Sequence, residues 1–253
     1  MSEVIGIYSI FIGRYTTYYK DFIENVSNKF MPGHKKIFYI VTDADLPSYD
    51  KNVIFFKTEL IGWPYETLYR FKYFLKFETI DADVIYFLNA NICCMKPITD
   101  VLPDERKYVF TEHHGQRSGY NSTFEKKAVS TAYVPYVVGK VYKYIGGGFF
   151  GATKSEFIEL CKKLDANIAT DEKKGYIALW HDESHLNNYC NIVLNNNVKF
   201  LDITYHIPGI WYHKFVDSCN LLYFDKTAKM NVSQIKGACT NGNIIKNKYN
   251  ALI

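Results

Sequence analysis

Short apolar runs alternate along this chain with longer segments whose apolar positions recur at helical spacing. The apolar runs are rich in Ile, Val, Phe and Tyr, and several are apolar at nearly every position, as in a sheet covered on both faces. The pattern predicts strands at 4–10, 36–42, 53–57, 84–88, 108–111 and 198–203, and helices at 16–29, 66–79, 154–164 and 182–191. This alternation predicts one α/β domain over residues 1–253, with a mostly parallel central sheet and helices on both faces.

Two features interrupt the pattern. The glycine run Gly146, Gly147 and Gly148 is the strong internal break, and it predicts either a close approach of a ligand to the backbone or a strained turn. From about residue 215 the periodicity fades, so we expect an irregular C-terminal tail that becomes ordered when a ligand binds.

Composition and charge narrow the class of protein. With 48% hydrophobic and 22% charged residues, the chain can bury a core. The net charge of +4 is too small for a dedicated nucleic-acid binder, but it suits a protein that holds one anionic ligand. No apolar run reaches the length of about 18 residues that a membrane span needs, and the acidic start does not resemble a secretory signal. The six cysteines lack metal-ligand spacing, which favours reduced thiols and a cytoplasmic location.

Two asparagines follow the strand predicted at 84–88. Ligands of open α/β sheets bind outside the carboxyl ends of the strands, where Asn89 and Asn91 would offer amide and carbonyl groups. The other interpretation is a polar turn that ends the strand.

The segment 180–187 (WHDESHLN) concentrates polar side chains at a predicted helix start. Asp182 is expected to be the N-cap, which places Glu183 in the first turn, where the helix dipole favours the ionised carboxylate. Such a group suits a nucleophile or a stabiliser of positive charge, although a capped surface helix explains the segment equally well. Because His181 precedes this helix, the pair His181 and His185 is not expected to bind a metal.

Several segments resemble, in the same order along the chain, the motifs of glycosyltransferase family 6, which contains the histo-blood-group A and B transferases and the α1,3-galactosyltransferase. The resemblance is carried by FMPGH with YIVTD at 30–43, FEKK with AYVP at 124–135, GGFFG at 147–151 and WHDESHLN at 180–187. It covers roughly residues 4–205. It implies a single-domain GT-A fold, a UDP-sugar donor and transfer with retained anomeric configuration.

The resemblance also implies roles for individual residues. Glu183 falls on the catalytic glutamate of the family, Tyr15 on its uracil-contacting tyrosine, and Arg70 is expected to reach the donor sugar together with Asp182. The remaining implied donor contacts are Phe11, Ile12, Trp63, Asn89, Ala90, Asn91, Gly147 and Gly148, and the implied acceptor contacts are His114, Thr123 and Trp180.

One departure from the family pattern changes the expected chemistry. Vertebrate members carry D-x-D at the end of this strand to hold Mn²⁺ on the diphosphate, whereas here the two positions are Asn89 and Asn91, as in the bacterial branch. Hard divalent cations prefer anionic oxygen ligands, so the exchange predicts an enzyme that needs no divalent metal. Lys226 and Lys229 of the tail are then expected to offset the charge of the departing UDP.

Substrate choice follows from the same resemblance. Family members that accept an N-acetyl group have small residues before F-F-G, so the glycine run favours UDP-GalNAc over UDP-Gal. The expected acceptor is the 3-hydroxyl of a terminal galactose in Fucα1,2Gal, the H-antigen type, although Pro208 stands near the position of the family's acceptor-binding Asp. The alternatives are an inactive relative that binds UDP-sugars or glycans, and a GT-A enzyme that acts on lipid-linked glycans; no basic amphipathic helix supports the second.

Overall fold

The computed structural model describes residues 3–49, 51–116, 119–121 and 123–224. Within these ranges the strands are β1 Ile5–Phe11, β2 Lys36–Thr42, β3 Val53–Lys57, β4 Val84–Leu88, β5 Ile92–Cys94, β6 Tyr108–Glu112, β7 Ile145–Thr153, β8 Lys199–Leu201, β9 Ile207–Pro208 and β10 Leu221–Tyr223. The α-helices are α1 Tyr19–Lys29, α2 Tyr65–Leu68, α3 Arg70–Phe74, α4 Lys154–Lys173 and α5 His181–Asn188. Short 3₁₀ segments occupy Gly13–Tyr18, Ile203–Tyr205 and Gly209–Lys214, and a π-helical turn at Tyr189–Val193 continues α5.

Seven strands form the central sheet in the order β3-β2-β1-β4-β7-β6-β8. Four of its six neighbouring pairs are parallel, and β7 runs antiparallel to both β4 and β6. A second sheet of three strands has the order β5-β10-β9. The predicted α/β class with a mostly parallel sheet is therefore confirmed.

Both faces of the central sheet are covered, which explains why the strands are apolar at successive positions. On one face, α1 packs Phe22 against Phe11 with ring centroids 5.1 Å apart. On the other face, α3 and α4 meet through Phe74 and Phe157 at 4.8 Å. Every residue of β2 and β4 is buried, as in a strand with no solvent-facing side.

The bounds predicted for β2, β3 and β4 agree with the structure, whereas those of the helices need correction. The helix predicted at 66–79 divides into α2 and α3 at Tyr69, whose ψ of 11° interrupts the helical path. The helix predicted at 154–164 continues to Lys173. Its apolar face persists because Leu164 and Ile168 pack against the core, and this longer face was not recognised in the sequence.

The glycine run is not a turn, so the strained-turn interpretation is wrong. Gly146, Gly147 and Gly148 lie inside β7, and none of them has a positive φ. The register between β6 and β7 passes from Phe110 opposite Phe150 to Glu112 opposite Ile145, so residues 146–149 of β7 face a single residue of β6. This bulge interrupts the pairing of the glycine segment with β6.

The prediction of an irregular tail from residue 215 also needs correction. The strand β10 forms there and pairs antiparallel with β5, with Leu222 opposite Cys93. The part of the tail after Phe224, including Lys226 and Lys229, lies outside the described residues.

The five cysteines in the described ranges are free and buried, in agreement with the expected reduced thiols; Cys239 lies outside those ranges. Among the described helices, none combines the length and the apolar composition needed to cross a membrane.

Candidate active site

A cavity of about 670 Å³ opens at the carboxyl end of β4. Because β7 runs antiparallel to β4, with Phe149 opposite Leu88, its first residues extend past the carboxyl end of β4. The helix α5 and the segment around β9 and β10 close the remaining sides. The lining residues are Trp63, Thr67, Arg70, Asn89, Asn91, His113, His114, Gly147, Gly148, Trp180, His181, Asp182, Glu183, His206, Pro208, Gly209, Ile210, Tyr223 and Phe224.

The carboxylate of Glu183 is held at two points in this cavity. Its Oε1 accepts a hydrogen bond from the Tyr144 hydroxyl at 2.9 Å, and its Oε2 accepts one from the Gly147 amide at 2.7 Å. Burial, followed by the nearby Glu183 charge, raises the pKa of Tyr144, so this hydroxyl keeps its proton and remains a donor. Two donors of this kind stabilise an ionised carboxylate and fix its direction.

The position of Glu183 follows from its spacing to Asn187. The Asn187 side chain accepts from the Ile145 amide and donates to the Ile145 carbonyl, both at 2.9 Å, and thereby docks α5 onto the first residue of β7. Residues four apart lie on the same face of a helix, so Glu183 is carried over the glycine segment that follows Ile145. The predicted place of Glu183 in the first turn of α5 is confirmed.

Asp182 forms a buried ion pair with Arg70. Arg70 Nε lies 3.0 Å from Asp182 Oδ2, and its Nη1 donates to the Gly147 carbonyl at 2.6 Å. The guanidinium also lies 4.2 Å from the centre of the Phe87 ring. Arg70 is only 5% exposed and Asp182 only 3%. Because both charges are buried, loss of either residue would leave the other charge without a partner in a site that water does not reach.

The prediction that Asp182 caps α5 is wrong. Trp180 occupies the N-cap position without a side-chain cap, and the helix begins at His181. The carboxylate of Asp182 points to Arg70 instead, because the buried guanidinium needs an anion more than the exposed helix start needs an acceptor.

The two asparagines after β4 have different surroundings. The Asn89 backbone amide donates to the Gly148 carbonyl at 2.9 Å and extends the ladder between β4 and β7. Asn91 is buried, and its Nδ2 donates to the Phe224 carbonyl at 2.6 Å while the Phe224 amide donates to the Asn91 carbonyl at 2.9 Å. Asn91 Oδ1 is buried with no partner among the described residues. Asn91 thus ties the chain after β10 to the end of β4.

This donor set does not fit a divalent cation of the Mn²⁺ type. Asn89 and Asn91 contribute no charge, and the Asn91 amide is turned toward the Phe224 carbonyl. Among the described residues that line the cavity, the carboxylates are Asp182 and Glu183, which are bound to Arg70 and to the Tyr144 and Gly147 donors. A hard cation would have to displace these contacts to obtain anionic oxygen ligands.

We predict that Asn91→Asp destabilises the protein. The change replaces an amide donor with a carboxylate that faces the Phe224 carbonyl, and a buried acceptor left without a donor costs about 1–3 kcal/mol. Thermal unfolding measures this loss. Asn89→Asp is the matched control, because the Asn89 side chain is partly exposed and its ladder bond uses the backbone amide. Equal unfolding temperatures for the two variants would contradict this role of Asn91.

Three histidines form one wall of the cavity. The ligand nitrogens of His113, His114 and His206 lie within 4.8 Å of one another, and they are the one such group of possible metal ligands found in the described ranges. However, His114 Nδ1 and His206 Nδ1 are hydrogen-bonded to each other at 2.8 Å, and His113 Nδ1 accepts from the Gly115 amide. Burial lowers the pKa of His113 to about 4, so its ring is neutral near pH 7. This wall therefore offers imidazole hydrogen-bonding groups to a ligand.

The cavity gathers some predicted site residues and leaves others apart. Trp63 and Trp180 line it with largely exposed rings, together with His114. Phe11 and Ile12 do not line it, because their side chains are packed in the core. The residues Tyr15, Ala90 and Thr123 also lie outside the lining, and Lys226 and Lys229 fall outside the described residues.

Several residues in and around the cavity were given no role by the sequence. Tyr144 lies two positions before Gly146, outside the cavity lining, and its place beside the glycine run was the available signal for its contact with Glu183. His206 and Tyr223 come from separate parts of the chain. No spacing links them, since only the tertiary fold brings β9 and β10 to this cavity.

The sequence of this chain is similar to those of known glycosyltransferases. The family model for glycosyltransferase family 6 matches residues 108–228. The O-antigen biosynthesis glycosyltransferase WbnI of Escherichia coli is 32% identical over 194 residues, which cover 74% of this chain and 81% of that protein. The chain belongs to glycosyltransferase family 6.

Animal relatives of this glycosyltransferase match a shorter share of their own length. The histo-blood group ABO system transferase 1 of Rattus norvegicus is 32% identical over 200 residues, 74% of this chain and 57% of that protein. The globoside alpha-1,3-N-acetylgalactosaminyltransferase 1 of Homo sapiens is 25% identical over 218 residues, 81% of this chain and 61% of that protein. The central sheet with helices on both faces is consistent with the GT-A fold expected for the family.

Proposed function

We propose that this enzyme transfers GalNAc, in preference to Gal, from a UDP-sugar to the 3-hydroxyl of a terminal galactose, with retention and without a divalent metal. The observation that carries the proposal is the Glu183 carboxylate, fixed by Tyr144 and Gly147 and facing a cavity at the carboxyl end of β4. A protein that only bound the donor would have no chemical need for an anion held in this way.

The reaction breaks the bond between C1 of the sugar and the UDP oxygen through an oxocarbenium-like transition state. Glu183 lies on the β face of C1 in this proposal, where its negative charge stabilises the developing positive charge or forms a bond to C1. The acceptor oxygen then attacks from the face that UDP leaves, and its proton passes to a phosphate oxygen of the departing UDP. Attack from this face retains the α configuration. Arg70 and Asp182 orient the hydroxyl groups of the donor sugar.

The charge that develops on UDP needs positive partners in the absence of a metal. Asn89 offers a neutral amide beside the cavity, and we assign the compensating charge to Lys226 and Lys229, which lie three to six positions after Tyr223. By analogy with oxyanion holes, each fixed donor at a leaving group lowers the activation free energy by about 3–4 kcal/mol. The ordering of the tail by UDP belongs to the same proposal.

The names of the relatives support the substrate class. One relative is named as an α1,3-N-acetylgalactosaminyltransferase and another as a histo-blood group transferase. The exposed ring of Trp180 offers an apolar face for a galactose, and His114 offers a hydrogen bond to its hydroxyl groups. The proposed acceptor is Fucα1,2Gal.

The deciding experiment measures UDP release from UDP-GalNAc with 2′-fucosyllactose in excess EDTA. We expect the rate to be unchanged by EDTA and by added Mn²⁺, and the trisaccharide to gain one α1,3-linked GalNAc. Activity only after Mn²⁺ is added would overturn metal independence. Donor binding without UDP release under either condition would instead identify an inactive binding protein, and a faster reaction with UDP-Gal in direct competition would overturn the donor assignment.

A further inference from the structure

The space that the glycine run leaves beside β7 is filled by side chains from elsewhere in the fold. A Cβ at position 146 would lie 2.6 Å from His206 Nε2, and one at position 147 would lie 3.2 Å from Glu183 Oε2. A Cβ at position 148 would collide with Cε1 of the Tyr223 ring and lie 3.1 Å from its Cζ and hydroxyl oxygen. The missing side chains therefore do not by themselves create an open space at this wall of the cavity.

Tyr223 is held in place by the sheet on one side and by a histidine on the other. It lies opposite Ile92 in the antiparallel pair of β10 and β5, and the backbone hydrogen bond from the Phe224 amide to the Asn91 carbonyl continues this ladder by one residue. The Asn91 side chain adds a second bond, from Nδ2 to the Phe224 carbonyl. The centroid of the Tyr223 ring lies 4.4 Å from that of His206. The ring is thus a fixed part of the wall.

The Tyr223 hydroxyl is buried and has no partner among the described residues. Its oxygen is turned toward Gly148, so the surface that Tyr223 adds to the cavity is that of its ring. Tyr223 therefore affects the shape of the cavity rather than its hydrogen bonding.

We propose that Tyr223 determines donor selectivity, because its ring takes the place of the side chain that position 148 lacks and limits the substituent on C2 of the donor sugar. The proposal rests on the proposed function, since it takes C1 of the donor to lie at Glu183. Gly147 donates to Glu183, and Gly148 is the next residue along the strand. C2 is bonded to C1, so its substituent lies within reach of the wall that Gly148 and Tyr223 form.

The test compares Tyr223→Ala, Tyr223→Leu and Tyr223→Phe with the wild-type enzyme. The measured quantities are the kcat/KM ratio for UDP-GalNAc over UDP-Gal and, by calorimetry, the dissociation constant of UDP-Gal divided by that of UDP-GalNAc. Shape differences of this size change selectivity by about tenfold or more, so we expect the Ala and Leu variants to raise both ratios by that factor. Tyr223→Phe should stay within twofold of the wild-type ratios, because it keeps the ring. Unchanged ratios for the Ala and Leu variants would overturn the proposal.

A second measurement does not depend on activity. Gly148→Ala should lower the thermal unfolding midpoint, because the new Cβ meets the Tyr223 ring, and the double variant Gly148→Ala with Tyr223→Ala should recover much of that loss relative to Tyr223→Ala alone. Additive effects would show that the ring does not fill the space at position 148. If the wild-type protein binds neither UDP-sugar, the proposed function fails, and the double variant still reports whether Tyr223 fills this space.

Discussion

Glu183→Gln is expected to remove most glycosyl transfer and to leave UDP binding close to that of the wild type. Gln has nearly the same shape, so its oxygen accepts from the Gly147 amide while its amide group donates to the Tyr144 hydroxyl oxygen. What is lost is the negative charge facing C1. Loss of one preorganised electrostatic contact costs about a hundredfold to a thousandfold in rate, and we expect a fall at least this large. Single-turnover transfer and calorimetric UDP binding measure the two effects separately.

Two variants provide the comparison for Glu183→Gln. Tyr144→Phe removes one of the two donors but keeps the carboxylate and its bond to Gly147, so we expect a smaller fall in rate. Glu159→Gln removes an exposed carboxylate on α4 and should leave transfer unchanged. A Glu183→Gln enzyme that transfers at the wild-type rate would show that the role assigned to Glu183 is wrong.

Arg70→Ala is expected to cause the largest loss of stability among these variants. The change leaves the Asp182 carboxylate buried without its cation and removes the donor to the Gly147 carbonyl. Removing one member of a buried ion pair costs about 3–5 kcal/mol. For a domain of this size the melting temperature should then fall on the order of 10 °C, as measured by calorimetry or circular dichroism.

The apolar double variant Arg70→Met with Asp182→Leu tests the cause of that loss. Replacement of both charges avoids the unpaired carboxylate, so we expect it to be more stable than Arg70→Ala, although it should be inactive. Lys162→Ala breaks the exposed pair with Glu159 and should change the melting temperature far less. If Arg70→Ala and Lys162→Ala melt at the same temperature, the pair with Asp182 does not stabilise the fold.

The strands and the class of fold were predictable because their cause is local. The runs at β2, β3 and β4 are apolar, bounded by polar residues, and long enough for a buried strand, and their bounds agree with the structure. The motif WHDESHLN likewise placed Glu183 in the first turn of a helix, since the spacing within a helix is a property of the backbone.

The partners of the site residues were decided by the tertiary structure. In the sequence Asp182 has the position of a helix cap, yet the buried Arg70, more than a hundred positions earlier in the chain, takes its carboxylate. From the sequence, the glycine run predicts a break and space for a ligand, yet it forms a strand in which His206 and Tyr223 fill the space of the missing side chains.

The sequence by itself therefore determined the α/β class, the family resemblance and the residues that carry charge, because these depend on residue type and on local spacing. Only the tertiary structure decided which groups hold Glu183 and which carbonyl accepts a hydrogen bond from the Asn91 amide. It also decided that the Tyr223 ring fills the space beside Gly148. The physical reason is that hydrogen bonds and steric contacts depend on distances between strands, and those distances are set by the packing of β4, β7 and β10 rather than by the order of residues along the chain.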